Sequence, residues 1–146
     1  MAERIPIAAD HAGYAMKERL VRVLRDMGFA PADLGATSPE ATDYPDFGHP
    51  LAHEVSEGKA KRGVLLCGSG IGMDIVANRH PHVRAALAWN PEIAALSRQH
   101  NDANVLVLPS RFVSDDEAER ILRTWLTTKF EGGRHERRVH KIDAER

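Results

Sequence analysis

Short apolar runs alternate with amphipathic stretches along most of the chain. Ile5-Pro6-Ile7-Ala8-Ala9 predicts a first strand. Met16, Leu20, Val23, Leu24 and Met27 then recur at helical spacing from about Tyr14, and Gly28 stops that helix. A weak strand follows near Ala32-Asp33-Leu34, then a turn-rich loop from Gly35 to Gly48 and a helix near Leu51 to Glu57. Val64 to Cys67 predicts a third strand, with a helix from about Ile71 to Asn78 behind it. Val83 to Trp89 is a fourth strand, after which Asn90-Pro91 supplies an N-cap and a first-turn proline for a helix ending near His100. Val105 to Leu108 is the fifth. Ser114-Asp115-Asp116-Glu117 is a capping box that opens a helix to about Lys129, with Ala118, Ile121, Leu122, Trp125 and Leu126 facing inward. From Glu131 the chain reads as a polar tail with a basic cluster. The alternation predicts an α/β fold: a three-layer α/β/α sandwich around a five-stranded, parallel, doubly wound (Rossmann-like) sheet, in one domain over residues 1–146.

Composition narrows the functional classes. A chain of 146 residues buries enough surface to fold without staples or a structural metal. Its net charge of −1 gives no field that would gather nucleic acid or an anionic membrane. No long apolar stretch follows Met1-Ala2-Glu3-Arg4, so neither a secretory signal nor a membrane span is expected. A single cysteine cannot form an internal disulfide, which fits a reducing, cytoplasmic setting.

In doubly wound sheets, ligands bind beyond the carboxyl ends of the strands. That rule singles out Asp10-His11-Ala12-Gly13 and the stretch from Cys67 to Gly72. In the latter, Cys67-Gly68-Ser69-Gly70-Ile71-Gly72 carries the only cysteine into a glycine-rich bend that opens a helix. Such a bend gathers backbone N–H groups toward an anion and favours thiolate over thiol. Three familiar loops are excluded. A dinucleotide fingerprint needs glycine where Met73 stands, a phosphatase loop needs arginine there, and a P-loop needs an absent Lys-Ser/Thr pair. A strand-end cysteine also serves as a small buried hydrophobe, and both readings stay open on these residues alone. His100 equally suits a helix-end histidine, and the basic tail a solvated end. Among eight histidines, His49 and His53 have i, i+4 spacing and His80-Pro81-His82 is a close pair, yet His53-Glu54-Val55-Ser56-Glu57 lacks the second histidine of a zinc-protease motif. No metal and no cofactor is expected.

Five blocks carry a family resemblance: Asp10-His11-Ala12-Gly13, Thr42-Asp43-Tyr44-Pro45-Asp46, Cys67 to Gly72, the run Ser97 to Leu106, and Glu131-Gly132-Gly133-Arg134-His135-Glu136-Arg137-Arg138-Val139. In this order they resemble the type B ribose-5-phosphate isomerases and the related galactose- and allose-phosphate isomerases. The resemblance implies interconversion of aldose and ketose phosphates through ring opening and an enediolate, with ribose 5-phosphate and ribulose 5-phosphate as the expected pair. Hexose or tetrose phosphates, or a non-catalytic phospho-sugar-binding regulatory module, are the alternatives. It implies Cys67 as base, since the glutamate used by another branch is here Met73. Catalytic roles fall further on His100 and Asp10 in ring opening and on Ser69, which stands where many relatives carry threonine. Gly68, Gly70, Ile71 and Gly72 would bind the enediolate, Tyr44 and Asn101 the sugar hydroxyls, and His11, Arg111, Arg134 and Arg138 the phosphate. A homodimer or dimer of dimers is also implied. Because Cys67 ends a strand and His100 ends a helix, the two are expected at opposite sheet edges, with the site shared between subunits.

Overall fold

Residues 1–144 are described in the computed structural model. The chain runs β1 (Arg4–Ala9), α1 (Tyr14–Asp26), β2 (Ala30–Asp33), α2 (Pro45–Ser56), β3 (Gly63–Cys67), α3 (Ile71–Ala77), β4 (Ala85–Leu87), α4 (Pro91–Asn101), β5 (Val105–Pro109), α5 (Asp115–Thr127) and α6 (Arg134–Ala144). All strand pairs are parallel, in the order β2-β1-β3-β5-β4. The three-layer, doubly wound architecture therefore stands. From β1 the chain first moves outward to β2 and then crosses to β3 on the other side, so the winding reverses between β1 and β3. A crevice opens at such a reversal, outside the carboxyl ends of the two strands.

Alternation along the strands assigns each side chain to a layer. Ile5, Ile7, Ala9, Val64, Leu66, Leu106 and Leu108 face one way and pack with Leu20 and Leu24 of α1 and Ile121, Leu122 and Trp125 of α5. Ala8, Leu65, Cys67, Val105 and Val107 face the other way, against Leu51, Ala52 and Val55 of α2 and Met73 and Ala77 of α3. Each fully covered Leu or Ile contributes about 2 kcal/mol. The same alternation puts the Cys67 side chain on the α2–α3 face.

Several boundaries differ from the pattern. β2 begins at Ala30 and β4 is only Ala85–Leu87. α2 starts at Pro45 rather than near Leu51, because Gly48 and Pro50, which read as breakers, lie inside it. Gly48 is there for contact: a Cβ would stand 2.8 Å from Met73 Sδ and 3.0 Å from Val76 Cγ1, so α2 meets α3 closely at this point. The expected polar tail is a helix, α6, which buries His135 and Val139 and packs against α4. Its two inward residues, four apart, were too few for an apolar stripe to be legible.

Lys17 lies on the inward side of α1 and is 0% exposed. Its ammonium reaches Asp33 at 2.7 and 2.9 Å and Glu18 at 2.8 Å, and Asp33 also accepts the Gly35 N–H at 2.9 Å. Burial alone would lower the Lys17 pKa, but the bonds and charges of Asp33 and Glu18 outweigh it and hold the pKa above its ordinary value. Removing one partner of a covered ion pair costs more than removing the charge itself. Asp33→Ala is therefore expected to destabilise the fold by about 2 kcal/mol, and Lys17→Met by well under half of that. Urea midpoints of the two variants check the order.

Candidate active site

Register brings three strand ends level. Ala9 pairs with Leu66 and Cys67 with Pro109, so Asp10, Cys67 and Ser110 leave neighbouring strands side by side. The Asp10 N–H donates to Leu66 O at 3.3 Å, and the Ser110 N–H and hydroxyl donate to Cys67 O at 3.0 and 3.2 Å. Beyond Cys67 the backbone bends into α3 through Gly70, whose φ is 78°. A Cβ at Gly70 would lie 2.4 Å from Leu87 Cδ1 and 3.4 Å from the Leu108 carbonyl carbon, so conformation and space both demand glycine. At Gly72 a Cβ would meet the Tyr44 ring at 2.5 Å, and at Gly68 it would meet the Arg111 guanidinium at 3.1 Å. Bare backbone lets the aromatic ring and the cation close over the loop.

Asp10 is 7% exposed and accepts the Gly13 N–H at 3.1 Å. His11 accepts the Thr42 N–H on Nδ1 at 3.1 Å while its own N–H donates to Thr42 Oγ1, so the neutral ring carries its proton on Nε2. Asp10 and Cys67, Ser69, Ile71 and Arg111 border one region: a cleft of about 620 Å³ lined by Asp10, Tyr44, Cys67, Gly68, Ser69, Ile71, Gly72 and Arg111, together with Ile75 and Phe112. His11 is adjacent in sequence but does not line it. A cavity of about 400 Å³ at the other edge of the sheet, among Glu3, Arg62, Arg84 and Asp102, is occupied by structural ion pairs.

Two electrostatic expectations need correction. The Cys67 thiol lies above, not below, its ordinary value: burial pushes it up and the Asp10 carboxylate adds to this, while the N–H groups of Met73, Gly70 and Gly72 only partly offset them. The Ile71 N–H is not a free anion donor, because it donates to Ser69 Oγ at 3.2 Å. Asp74, in the first turn of α3, has one buried oxygen without a partner, and burial pushes its pKa up to about 6.

His100, Asn101, Arg134 and Arg138 are not part of this cleft. They lie around the end of α4 and the start of α6. The His100 ring stacks on buried His135 at 4.4 Å between centroids, and Glu131 Oε1 lies 4.0 Å from His100 and 3.6 Å from His135. Asn101, Arg134 and Arg138 are exposed. This end of α4 belongs to the amino edge of the sheet, where Asn104 O accepts the N–H of Gly63, the first residue of the strand that Cys67 ends. The edges are about a strand length apart, roughly 13 Å. The imidazole and carboxylate atoms of His100, Glu131 and His135 lie within 4.8 Å of one another, as metal ligands would. Burial and the charges of His100, Arg134 and Arg138 hold the His135 pKa down.

Comparison with known proteins decides the family. Residues 5–142 match the family model for ribose/galactose isomerases. The chain is 41% identical over 142 residues to ribose-5-phosphate isomerase B of Escherichia coli, covering 97% of this chain and 95% of that protein. Its fold is similar to a ribose 5-phosphate isomerase from Thermotoga maritima, with a TM-score of 0.95, 44% identity and coverage of 99% and 100%. It is equally similar, at TM-score 0.95 and 43% identity over 99% of this chain and 96% of the other, to ribose-5-phosphate isomerase B from Mycoplasma genitalium solved with ribulose-5-phosphate bound. The chain belongs to the ribose/galactose isomerase family.

Within this family frame, the sequence pattern missed Ile75 and Phe112 as cleft residues. Ile75 follows Ile71 by one helical turn and shares its exposed side of α3. It also missed Glu131 and His135 as the neighbours of His100, because the helix carrying His135 was not legible.

The raised thiol has a measurable consequence. Only the thiolate alkylates, so the rate of Cys67 modification by iodoacetamide should keep rising past pH 9 instead of levelling at the ordinary thiol range. Asp10→Asn removes the repelling charge and should move the profile to lower pH. A stopped assay across pH 7–11, read by mass spectrometry, checks both.

Proposed function

We propose that this protein interconverts ribose 5-phosphate and ribulose 5-phosphate, with Cys67 as the proton-transferring base. The observation that carries the reading is the alignment of Asp10, Cys67 and Arg111 around one cleft over a glycine bend that admits no side chain at Gly70. Relatives bearing that activity in their names share 41–44% of residues over nearly the whole chain.

His100 and Asp10 assist opening of the sugar ring. The Cys67 thiolate takes the proton from C2 of the open aldose, and the electron pair moves onto the C1 oxygen as an enediolate. Backbone N–H groups of the Gly68–Gly72 bend other than that of Ile71, with the Ser69 hydroxyl, stabilise this charge. The proton returns to C1 and another passes from the C2 to the C1 oxygen, so the ketose forms with no atom gained or lost. A thiol with a raised pKa yields a more basic thiolate, which suits a carbon acid, at the expense of its fraction near neutral pH. Tyr44 and Asn101 hold sugar hydroxyls; His11, Arg111, Arg134 and Arg138 hold the phosphate. The chemistry asks for no metal or cofactor.

A second copy of the chain completes the site. His100 and Asn101 act from the partner, and because α6 packs on α4, Arg134 and Arg138 come with them. The rim of the cleft supports this. Ile71, Ile75, Phe112 and nearby Trp89 are 53–74% exposed, an apolar surface fit to be covered by a partner. Among the described residues no helix is long and apolar enough to cross a membrane. The single cysteine suits a reducing compartment, and we place the enzyme in the cytoplasm.

Among four-, five- and six-carbon aldose phosphates, ribose 5-phosphate should have the highest kcat/KM, and Cys67→Ala should lower turnover by about 10²–10⁴-fold while sparing binding. Coupled assays and calorimetry measure these; exchange of the C2 proton at the wild-type rate in the variant would refute the base. Refolding a mixture of inactive Cys67→Ala and His100→Ala chains should restore roughly a quarter of wild-type activity, since half the dimers are mixed and each has one intact site. No recovery in mixed dimers would place both residues in one chain's site.

A further inference from the structure

Histidines outside the reaction are brought together by the fold. Nδ1 of His49, on α2, lies 2.7 Å from Nε2 of His80, in the turn between α3 and β4. His53 follows His49 by one helical turn. We propose that His49 and His80, with His53 as a third ligand, form a transition-metal site that takes Zn²⁺, or Ni²⁺ or Cu²⁺, away from the catalytic cleft.

The contact itself is preorganised for an ion. At 2.7 Å one ring must donate and the other accept, so both nitrogens already point at a single shared proton. A metal in its place binds each nitrogen at about 2.0–2.1 Å, which sets tetrahedral ligand nitrogens about 3.3 Å apart. The nitrogens need to part by about 0.6 Å, with each ring tilting so that both lone pairs converge on the ion.

Both carriers are held. The His80 N–H donates to Ala77 O at 3.2 Å, and Ser56 Oγ of α2 donates to Pro81 O at 2.7 Å, which ties the turn to the helix. His53 is exposed and not gathered with the pair in this structure, so it would have to turn toward the ion, with the remaining positions left to water. Burial and the charges of His49 and His53 lower the His80 pKa, and a metal would take each imidazole in its unprotonated form. All three donors are imidazoles with no carboxylate, a set that selects Zn²⁺, Ni²⁺ and Cu²⁺ over Mg²⁺ and Ca²⁺. The bound ion would clasp α2 to the α3–β4 turn. Tyr44 and Gly70, the N-caps of α2 and α3, both lie at the cleft, so the clasp would brace its frame without touching the reacting atoms.

Zinc chloride is titrated into the full chain at about pH 7.5 and followed by calorimetry and melting. One ion per chain should bind through this site, with Tm rising by about 5 °C or more at hundredfold excess over Kd. His49→Gln and His80→Gln should weaken it at least about thirtyfold and His53→Gln about tenfold, whereas His135→Gln leaves it intact. Isomerase turnover in the His49 and His80 variants should match wild type. In the wild-type chain, Zn²⁺ should move the imidazole proton resonances of His49 and His80 and not those of His100. Wild-type affinity in both the His49 and His80 variants, unmoved His49 and His80 resonances, or no saturable binding below about 1 mM would overturn the site.

Discussion

Everything in the cleft depends on how little room there is at the turn between β3 and α3. Gly70 holds a left-handed conformation against Leu87 and the backbone of Leu108, so the turn is clamped from the strands on its far side. Of those strands, β5 holds its place by register with β3, and β4 by register with β5. The geometry of the thiol is thus a property of the whole sheet, transmitted through contacts too close to relax. Gly68 and Gly72 extend the same constraint outward, since the guanidinium of Arg111 and the ring of Tyr44 occupy the space their side chains would need.

The electrostatics of Cys67 are a contest between burial and dipoles. Three backbone N–H groups at the bend stabilise negative charge on the sulfur, yet desolvation and the neighbouring Asp10 carboxylate win. For a nucleophile this would be a handicap. For a proton acceptor facing a weak carbon acid it raises base strength, and the dipoles stand ready to hold charge once it forms.

A single chain separates the residues of the proposed chemistry into two halves. Strand ends carry Asp10, Cys67 and Arg111; the end of α4 and the start of α6 carry His100 and the exposed arginines. A parallel sheet enforces this, because every helix after a strand returns the chain to the opposite edge. The proposed pairing with a second copy would join edges that one copy must keep apart, and the exposed apolar rim suits such a contact.

Alternating strand and helix patterns, the capping box at Ser114 and the Asn90-Pro91 start determined the fold class from the sequence alone, since these signals are local. The neighbouring placement of Asp10 and Cys67 was also legible, because doubly wound sheets put ligands at strand ends. Tertiary structure alone decided the insertion of β5 between β3 and β4, the start of α2 across Gly48 and Pro50, and the helical tail. Those features rest on contacts between distant residues, such as Gly48 against Met73 and Val76 and His135 against His100. The direction of the thiol's titration and the pairing of Lys17 with Asp33 belong with them. Burial is a sum over neighbours from several elements, and no local pattern contains that sum.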